Sequence, residues 1–200
     1  AGVSQPVVSL DGIWKTRKGD DLAALAAQED FSAWDDVTVP SFMSMQRRAM
    51  PGVTRRYACK RVVEIAEEWA DKSLYLHFES VNGFCEVFID GQSIGRHSNS
   101  FIAFGFDITS YVRGKQSVVL TVAVEELADK VSTFSVGGIL RSVALYVLPQ
   151  MHTTELYAVT AFDSQFRHAR LNLRYSLSTA DSALSLSAAL LDPMGMTAAE

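Results

Sequence analysis

Only two cysteines, Cys59 and Cys85, occur in the 200 residues, too few for a disulfide framework and too few for a thiolate zinc site. Both fall in segments that read as strands, so buried reduced thiols are the first reading and a Cys59–Cys85 bridge the second. Compartment is therefore not decided by cysteine. Basic charge is also in short supply: 18 Lys and Arg against 23 Asp and Glu leave a net charge of -5 and a pI near 5.4. Without a basic stripe to neutralise phosphates, no nucleic-acid partner is expected. Long apolar runs are missing as well. A membrane-crossing helix needs about 20 apolar residues in succession and no stretch approaches that, so no membrane partner is expected. The opening residues, Ala1 to Val8, lack the basic and apolar regions of a signal peptide. Localisation stays open between periplasmic or secreted, with a leader already removed, and cytoplasmic. Reaction motifs are absent too: no GxSxG, no phosphate-cradling glycine loop, no HExxH and no CxxC. His77, His97, His152 and His168 are scattered, with no carboxylate or thiol at ligand spacing. No metal, cofactor or catalytic residue is assigned.

What the chain does have is a soluble-domain composition, 48% hydrophobic and 20% charged, and a succession of short alternating segments. The densest lies in Leu74–Ile108. Leu74–Phe78 and Phe84–Ile89 have the aromatic and β-branched content of strands, and Asp90-Gly91 behind the second is a hairpin signal leading into Gln92–His97. Before them, Leu10-Asp11-Gly12-Ile13-Trp14 leads into a first strand with Trp14 as a core anchor. Asp20–Asp30 has the Leu and Ala spacing of the one helix, and Ala33–Val39 is a strand stopped by Pro40. A loop from Pro40 to Val53 follows, where packing onto the core is the first reading of Met43, Met45 and Met50 and lining a binding surface the second, and where Arg47-Arg48 and Arg55-Arg56 read as solvated flanking charge before an anion grip. Tyr57–Ile65, Ser117–Val124 and Ile139–Val147 complete the set, with Glu125–Gly138 as a long connection of the kind that carries function. So many short strands with so little helix predict an all-β, antiparallel sandwich. Two domains are expected, 1–150 and 151–200. The second restarts the pattern at Thr154–Phe162, Ala169–Leu177 and Ala183–Leu191. Three strands cannot close a sandwich that takes about seven, so it reads as cut short.

Taken in order, these pieces resemble the amino-terminal domain of glycoside hydrolase family 2, which includes β-galactosidases, β-glucuronidases and β-mannosidases. The matching pieces are Leu10-Asp11-Gly12-Ile13-Trp14, Val39-Pro40, Tyr57, Leu76-His77-Phe78-Glu79-Ser80-Val81-Asn82, Phe88-Ile89-Asp90-Gly91, Phe106-Asp107-Ile108-Thr109 and Gly137-Gly138-Ile139-Leu140-Arg141-Ser142-Val143. From His152 onward the chain is similar to the start of the family's immunoglobulin-like second domain.

The resemblance implies a jelly-roll-like sandwich of the sugar-binding type followed by a truncated immunoglobulin-like sandwich. It also implies that the catalytic glutamates sit on a (β/α)₈ barrel for which this chain has no room. Glu79 and Glu86, the nearest approach to a carboxylate pair for glycoside hydrolysis, read as solvent-facing strand residues. The expected function is that of a non-catalytic amino-terminal piece of a β-galactosidase-like glycosidase, scaffolding and lining the sugar pocket of the barrel, with the carbohydrate engaged through the full-length enzyme. Oligomerisation is left open. The alternative is an autonomous carbohydrate-binding module. Family members place an aspartate six residues before the second glycine of the Gly-Gly-Ile step. Here Ser132 stands there, so a charge-assisted bond to sugar hydroxyls is replaced by a weaker neutral one. Phe134 matches the family's aromatic four residues before that glycine. With Trp69 and Phe101, which stand outside the apolar strand segments, these are the carbohydrate-binding candidates.

Overall fold

Alternation along each strand decides which side chains are buried, and the computed structural model follows it; residues 7–42, 55–98, 101–126, 137–179 and 187–199 are described. The chain divides into two compact units between Pro149 and Gln150. In the first, the strands are β1 (Val7–Ser9), β2 (Gly12–Lys18), β3 (Asp35–Val39), β4 (Arg55–Glu64), β5 (Ser73–Phe78), β6 (Val81–Asn82), β7 (Phe84–Ile89), β8 (Gln92–His97), β9 (Phe104–Asp107), β10 (Ser117–Glu126), β11 (Gly138–Ile139) and β12 (Val143–Leu148). Between them lie helix α1 (Leu22–Ala27), a 3₁₀ turn (Glu67–Trp69) and the one-turn helix α2 (Thr109–Val112).

Two antiparallel sheets form the sandwich, in the orders β1-β12-β5-β9 and β3-β2-β4-β10-β7-β8, with β11 and β6 as a separate two-stranded ribbon. Their facing sides make one core. From the larger sheet come Trp14, Tyr57, Cys59, Cys85, Val87, Leu120, Val122 and Val124, and from the smaller Leu76, Phe78, Val143 and Leu145. Both cysteines are buried and neither forms a disulfide. The Asp90-Gly91 hairpin forms as expected, with φ of 48° and 77° at its two turn residues. Left-handed geometry at both central positions is the type I′ arrangement, whose twist matches the flanking strands.

Helix α1 covers the outer face of the larger sheet and is shorter than the expected Asp20–Asp30. The Asp21 carboxylate caps its start by accepting from the Ala24 amide at 2.9 Å. Its end is set from the sheet. Lys60, only 1% exposed, donates its ammonium to the carbonyls of Ala26 (2.9 Å) and Gln28. The same ammonium sits 5.5 Å from the Phe31 ring centre and 5.3 Å from that of Trp34. Burial lowers its pKa. Carbonyl oxygens at a helix end and two aromatic faces are the surroundings that hold such a charge inside, and Gln28 has already left helical geometry at ψ 115°.

The second unit holds β13 (Thr153–Phe162) paired with β14 (Ala169–Leu177), and β15 (Leu190–Leu191) paired with β16 (Thr197–Ala199). The expected strand over 183–191 is reduced to Leu190–Leu191 among the described residues. Residues 180–186 lie outside them. Leu156, Tyr157, Val159, Phe162, Leu171, Leu173 and Tyr175 are all exposed on the hairpin.

Candidate functional site

Strand β10 runs the length of the larger sheet, and its two ends carry different chemistry. Against β4 its register pairs Ser117 with Glu64 at one end and Glu126 with Arg55 at the other. From the sequence this strand is expected to end at Val124, with Glu125 and Glu126 in the following loop. Alternation explains the difference: Glu126 continues the inward row of Leu120, Val122 and Val124, and what replaces a hydrophobic partner there is a cation. Arg55 Nη1 donates to Glu126 Oε2 at 3.0 Å, with 12% and 3% of the two side chains exposed. Glu125 turns outward and meets Arg56 through two oxygens at 3.1 Å. Arg55 is therefore not the solvated flanking charge expected of it. It is half of a buried ion pair.

This pair sits under the returning chain. A Cβ on Gly137 would meet Glu126 Cδ at 1.8 Å, and one on Gly83 would meet the Glu125 carbonyl oxygen at 2.6 Å. Only glycine admits both approaches, and Gly83 also has φ 113°. Gly138 then pairs with Asn82 and Ile139 with Val81, so the two arms of the 127–136 segment, Glu126 and Gly137, start from the same spot. Glu126 Oε1 and the Tyr57 hydroxyl are both buried there, with the phenol beside the carboxylate. Burial, and next the charge of Glu126, push the Tyr57 phenol well above its ordinary value.

Exposed hydrophobic side chains gather on segments leading to this end. Phe84, 37% exposed, opens β7. Phe42, 45% exposed, follows Ser41, whose amide donates to the Ile139 carbonyl at 2.9 Å. Phe101 and Ile102, 62% and 56% exposed, lie between β8 and β9. A ring stack of His97 on Phe104 (3.9 Å) and Phe104 on Phe78 (4.9 Å) fixes the base of that turn. Phe101 itself has φ 67°, a conformation that costs a bulky residue energy and marks functional positions more often than packing ones.

Of the four carbohydrate-binding candidates, Phe101 is thus displayed at the Glu126 end. Ser132 and Phe134 lie outside the described residues, as do Met43, Met45, Met50 and Arg47-Arg48. Trp69 is elsewhere. It is half-buried against the core and lines a cleft of about 690 Å³ at the Glu64 end of the sheet. Glu86 is occupied by Arg96 at 3.1 Å and by the Ser93 hydroxyl at 2.6 Å. Among the described residues no cluster of three or more metal-ligating side chains occurs, and no helix is long and apolar enough to cross a membrane. Sequence reasoning missed Arg55, Glu126, Tyr57 and Gly83. The signal that could have found the first two was charge complementarity across one strand pair, Arg55-Arg56 against Glu125-Glu126.

These features define the class as an antiparallel β-sandwich with a buried ion pair at one end of its larger sheet. The model for glycosyl hydrolases family 2, sugar binding domain, matches residues 8–149, and the chain belongs to that family. It is 25% identical over 200 residues to a β-galactosidase of Priestia megaterium, covering 82% of this chain and 19% of the relative. To a β-glucuronidase of Bacteroides fragilis it is 35% identical over 94 residues, covering 44% of this chain and 14% of the relative. The solved β-glucuronidase of Ruminococcus gnavus in complex with uronic isofagomine superposes with a TM-score of 0.77 at 18% identity, covering 98% of this chain and 37% of that one. The chain thus spans a fifth or less of these curated relatives' length.

Proposed function

We propose that this chain is the non-catalytic amino-terminal part of a β-galactosidase-like glycosidase. In this reading residues 1–150 form the sugar-binding sandwich and 151–200 begin an immunoglobulin-like one. The Glu126 end faces the sugar pocket of a catalytic barrel supplied by the rest of the enzyme. The observation that carries the reading is the common root of the 127–136 segment. Glu126, which forms a buried ion pair with Arg55, lies against Gly137, and these two residues bound the stretch that contains Ser132 and Phe134. A rigid base is what a loop needs if it is to hold a sugar hydroxyl within hydrogen-bond reach. Serine in place of the family's aspartate offers one hydroxyl where two carboxylate oxygens would accept, which favours a sugar less dependent on a charged contact at that position.

Nitrophenyl β-glycosides test this. The 200-residue chain should turn over none of them, whereas the longer gene product should hydrolyse at least one. In that product Ser132→Asp should shift the ratio of galactoside to other β-glycoside turnover by roughly tenfold, the worth of one charge-assisted bond. Turnover by the short chain, or a ratio unmoved by Ser132→Asp, overturns the reading.

A further inference from the structure

The Trp69 cleft lies at the far end of β10 from Glu126, nine strand steps or about 30 Å away, and the function proposed above makes no use of it. Its floor is apolar, formed by Ile65, Leu74 and Val112, with Trp69 as one wall. Around the rim stand Glu64, Glu67, Lys72, Arg113, Lys115 and Gln116. At about 690 Å³ it falls within the size range of small-ligand sites.

The backbone around it is fixed. The Ile65 amide donates to the Gln116 carbonyl at 2.8 Å and the Leu74 amide to the Thr109 hydroxyl at 2.9 Å. On the 3₁₀ turn that carries the tryptophan, the Trp69 amide donates to Ala66 at 3.0 Å and the Lys72 amide to Trp69 at 2.9 Å. The site is preformed, which lowers the cost of binding.

The charge balance restricts what could enter. Lys72 is paired with Asp71 and Lys115 with Asp90, each at 2.8 Å, and two carboxylates, Glu64 and Glu67, share the rim. Of the three cations only Arg113 has no ionic partner among the described residues, so a phosphate or other strong anion finds too little positive charge. A purely apolar ligand would leave the rim's donors and acceptors facing it unsatisfied. A pyranose ring has the matching division: a face of C–H groups to lie on an indole, and a girdle of hydroxyls that both donate and accept. Carboxylates accept, the guanidinium donates, and the Gln116 amide does both. The Trp69 indole N–H also has no protein acceptor among the described residues.

We propose that the Trp69 cleft is a binding site for a neutral pyranoside. The inference does not rest on the proposed function, since it concerns the opposite end of the sandwich and would survive a different assignment of the catalytic partner.

The test is titration of the full chain with methyl β-glucopyranoside, methyl β-galactopyranoside, methyl β-mannopyranoside and their β-linked trisaccharides, followed by NMR shifts and tryptophan fluorescence. Trp69 is the half-exposed indole, whereas Trp14 and Trp34 are buried at 1% and 4% exposure, so its emission reports occupancy. At least one neutral probe should bind in the millimolar range. Trp69→Ala should weaken it by roughly tenfold or more and Arg113→Gln by about threefold, while Ser132→Asp leaves it unchanged. Should Trp69→Ala disturb the fold, Trp69→Phe and Arg113→Gln keep the test intact, because both preserve the shape of the floor. No saturable shift up to about 50 mM of any neutral probe, affinity unchanged in all three cleft variants, or binding of methyl β-glucuronide in preference to every neutral probe would each overturn the proposal.

Discussion

The two ends of the larger sheet use polar side chains in opposite ways. At the Glu126 end the charges are taken out of water, paired across a strand register, and roofed by glycines that no other residue could replace. At the Trp69 end the charges stay on the rim in water and the floor is hydrocarbon. An interior ion pair is a poor source of net stability, because desolvation consumes most of its Coulombic gain. Its value lies in fixing geometry, here that of Glu126 and of Gly137 packed against it. A rim of exposed charges fixes nothing, but it is free to meet a ligand. In the proposed readings the two ends separate a positioning task from a recognition task, and substitutions should reveal the separation by their cost to stability.

The largest cost is expected where one buried charge loses its partner. Arg55→Ala leaves Glu126, with 3% of its side chain exposed, without its cation and should destabilise the chain by about 3–5 kcal/mol in urea unfolding. Removing both charges with Arg55→Leu and Glu126→Leu should restore most of that loss, since the desolvation penalty goes with the pair. A single substitution costing less than about 1 kcal/mol would make this a surface pair in energetic terms and end the contrast with the Trp69 rim.

Midway between the ends, Lys60→Met removes the ammonium that gathers the carbonyls closing α1. Part of the lost bonding is returned by relief of desolvation, so a net cost of about 1–3 kcal/mol is expected. Amide exchange should accelerate in Leu22–Gln28 ahead of the sheet, and uniform acceleration would place Lys60 in the global core instead.

The alkaline limb of stability sharpens the comparison further. The Tyr57 phenol titrates higher in the folded chain than the roughly pH 10 of an exposed tyrosine. Its contribution is therefore complete below pH 10 and is lost as pH rises from there through the folded-state value, because the unfolded chain releases its proton first. The loss approaches about 1.4 kcal/mol per pH unit in that window, and Tyr57→Phe should remove it. Burial pushes the Cys85 thiol up to about 12, so its share begins earlier, near pH 8.5, and Cys85→Ala should flatten that earlier stretch. Equal slopes in wild type and Tyr57→Phe above pH 10 would mean that the phenol reaches water in the folded state.

Most of the architecture was legible because strand alternation is a local signal. The runs at Leu74–Phe78 and Phe84–Ile89, the Asp90-Gly91 turn and the burial of Trp14 could all be read from neighbouring residues. Legibility failed where a partner far along the chain decided the outcome. Arg55 reads as a flanking charge until Glu126 is placed opposite it, and Glu125-Glu126 read as loop until their cations are found. The end of α1 depends on Lys60, some thirty residues further on, which no helix signal contains. Trp69 could be seen as an unclaimed aromatic, but its cleft needed Arg113 and Gln116 brought back beside it by the β10–β4 pairing. Ser132 and Phe134 were readable only through the family resemblance, since nothing in their local spacing singles them out.

The smallest expected effect runs in the opposite direction. Phe101 is 62% exposed and held at φ 67°, so it contributes little packing and carries a conformational strain that glycine does not have. Phe101→Gly should leave stability unchanged or raise it by up to about 1 kcal/mol, the strain relief being offset by the greater entropy of an unfolded glycine. Thermal unfolding measures this directly. If the side chain serves the Glu126 end by reaching outward, the same variant should lower turnover in the β-glycoside assay of the proposed function while gaining or keeping stability. A clear loss of stability would instead mean that the ring packs on the sandwich, moving Phe101 from the recognition side of the comparison to the structural one.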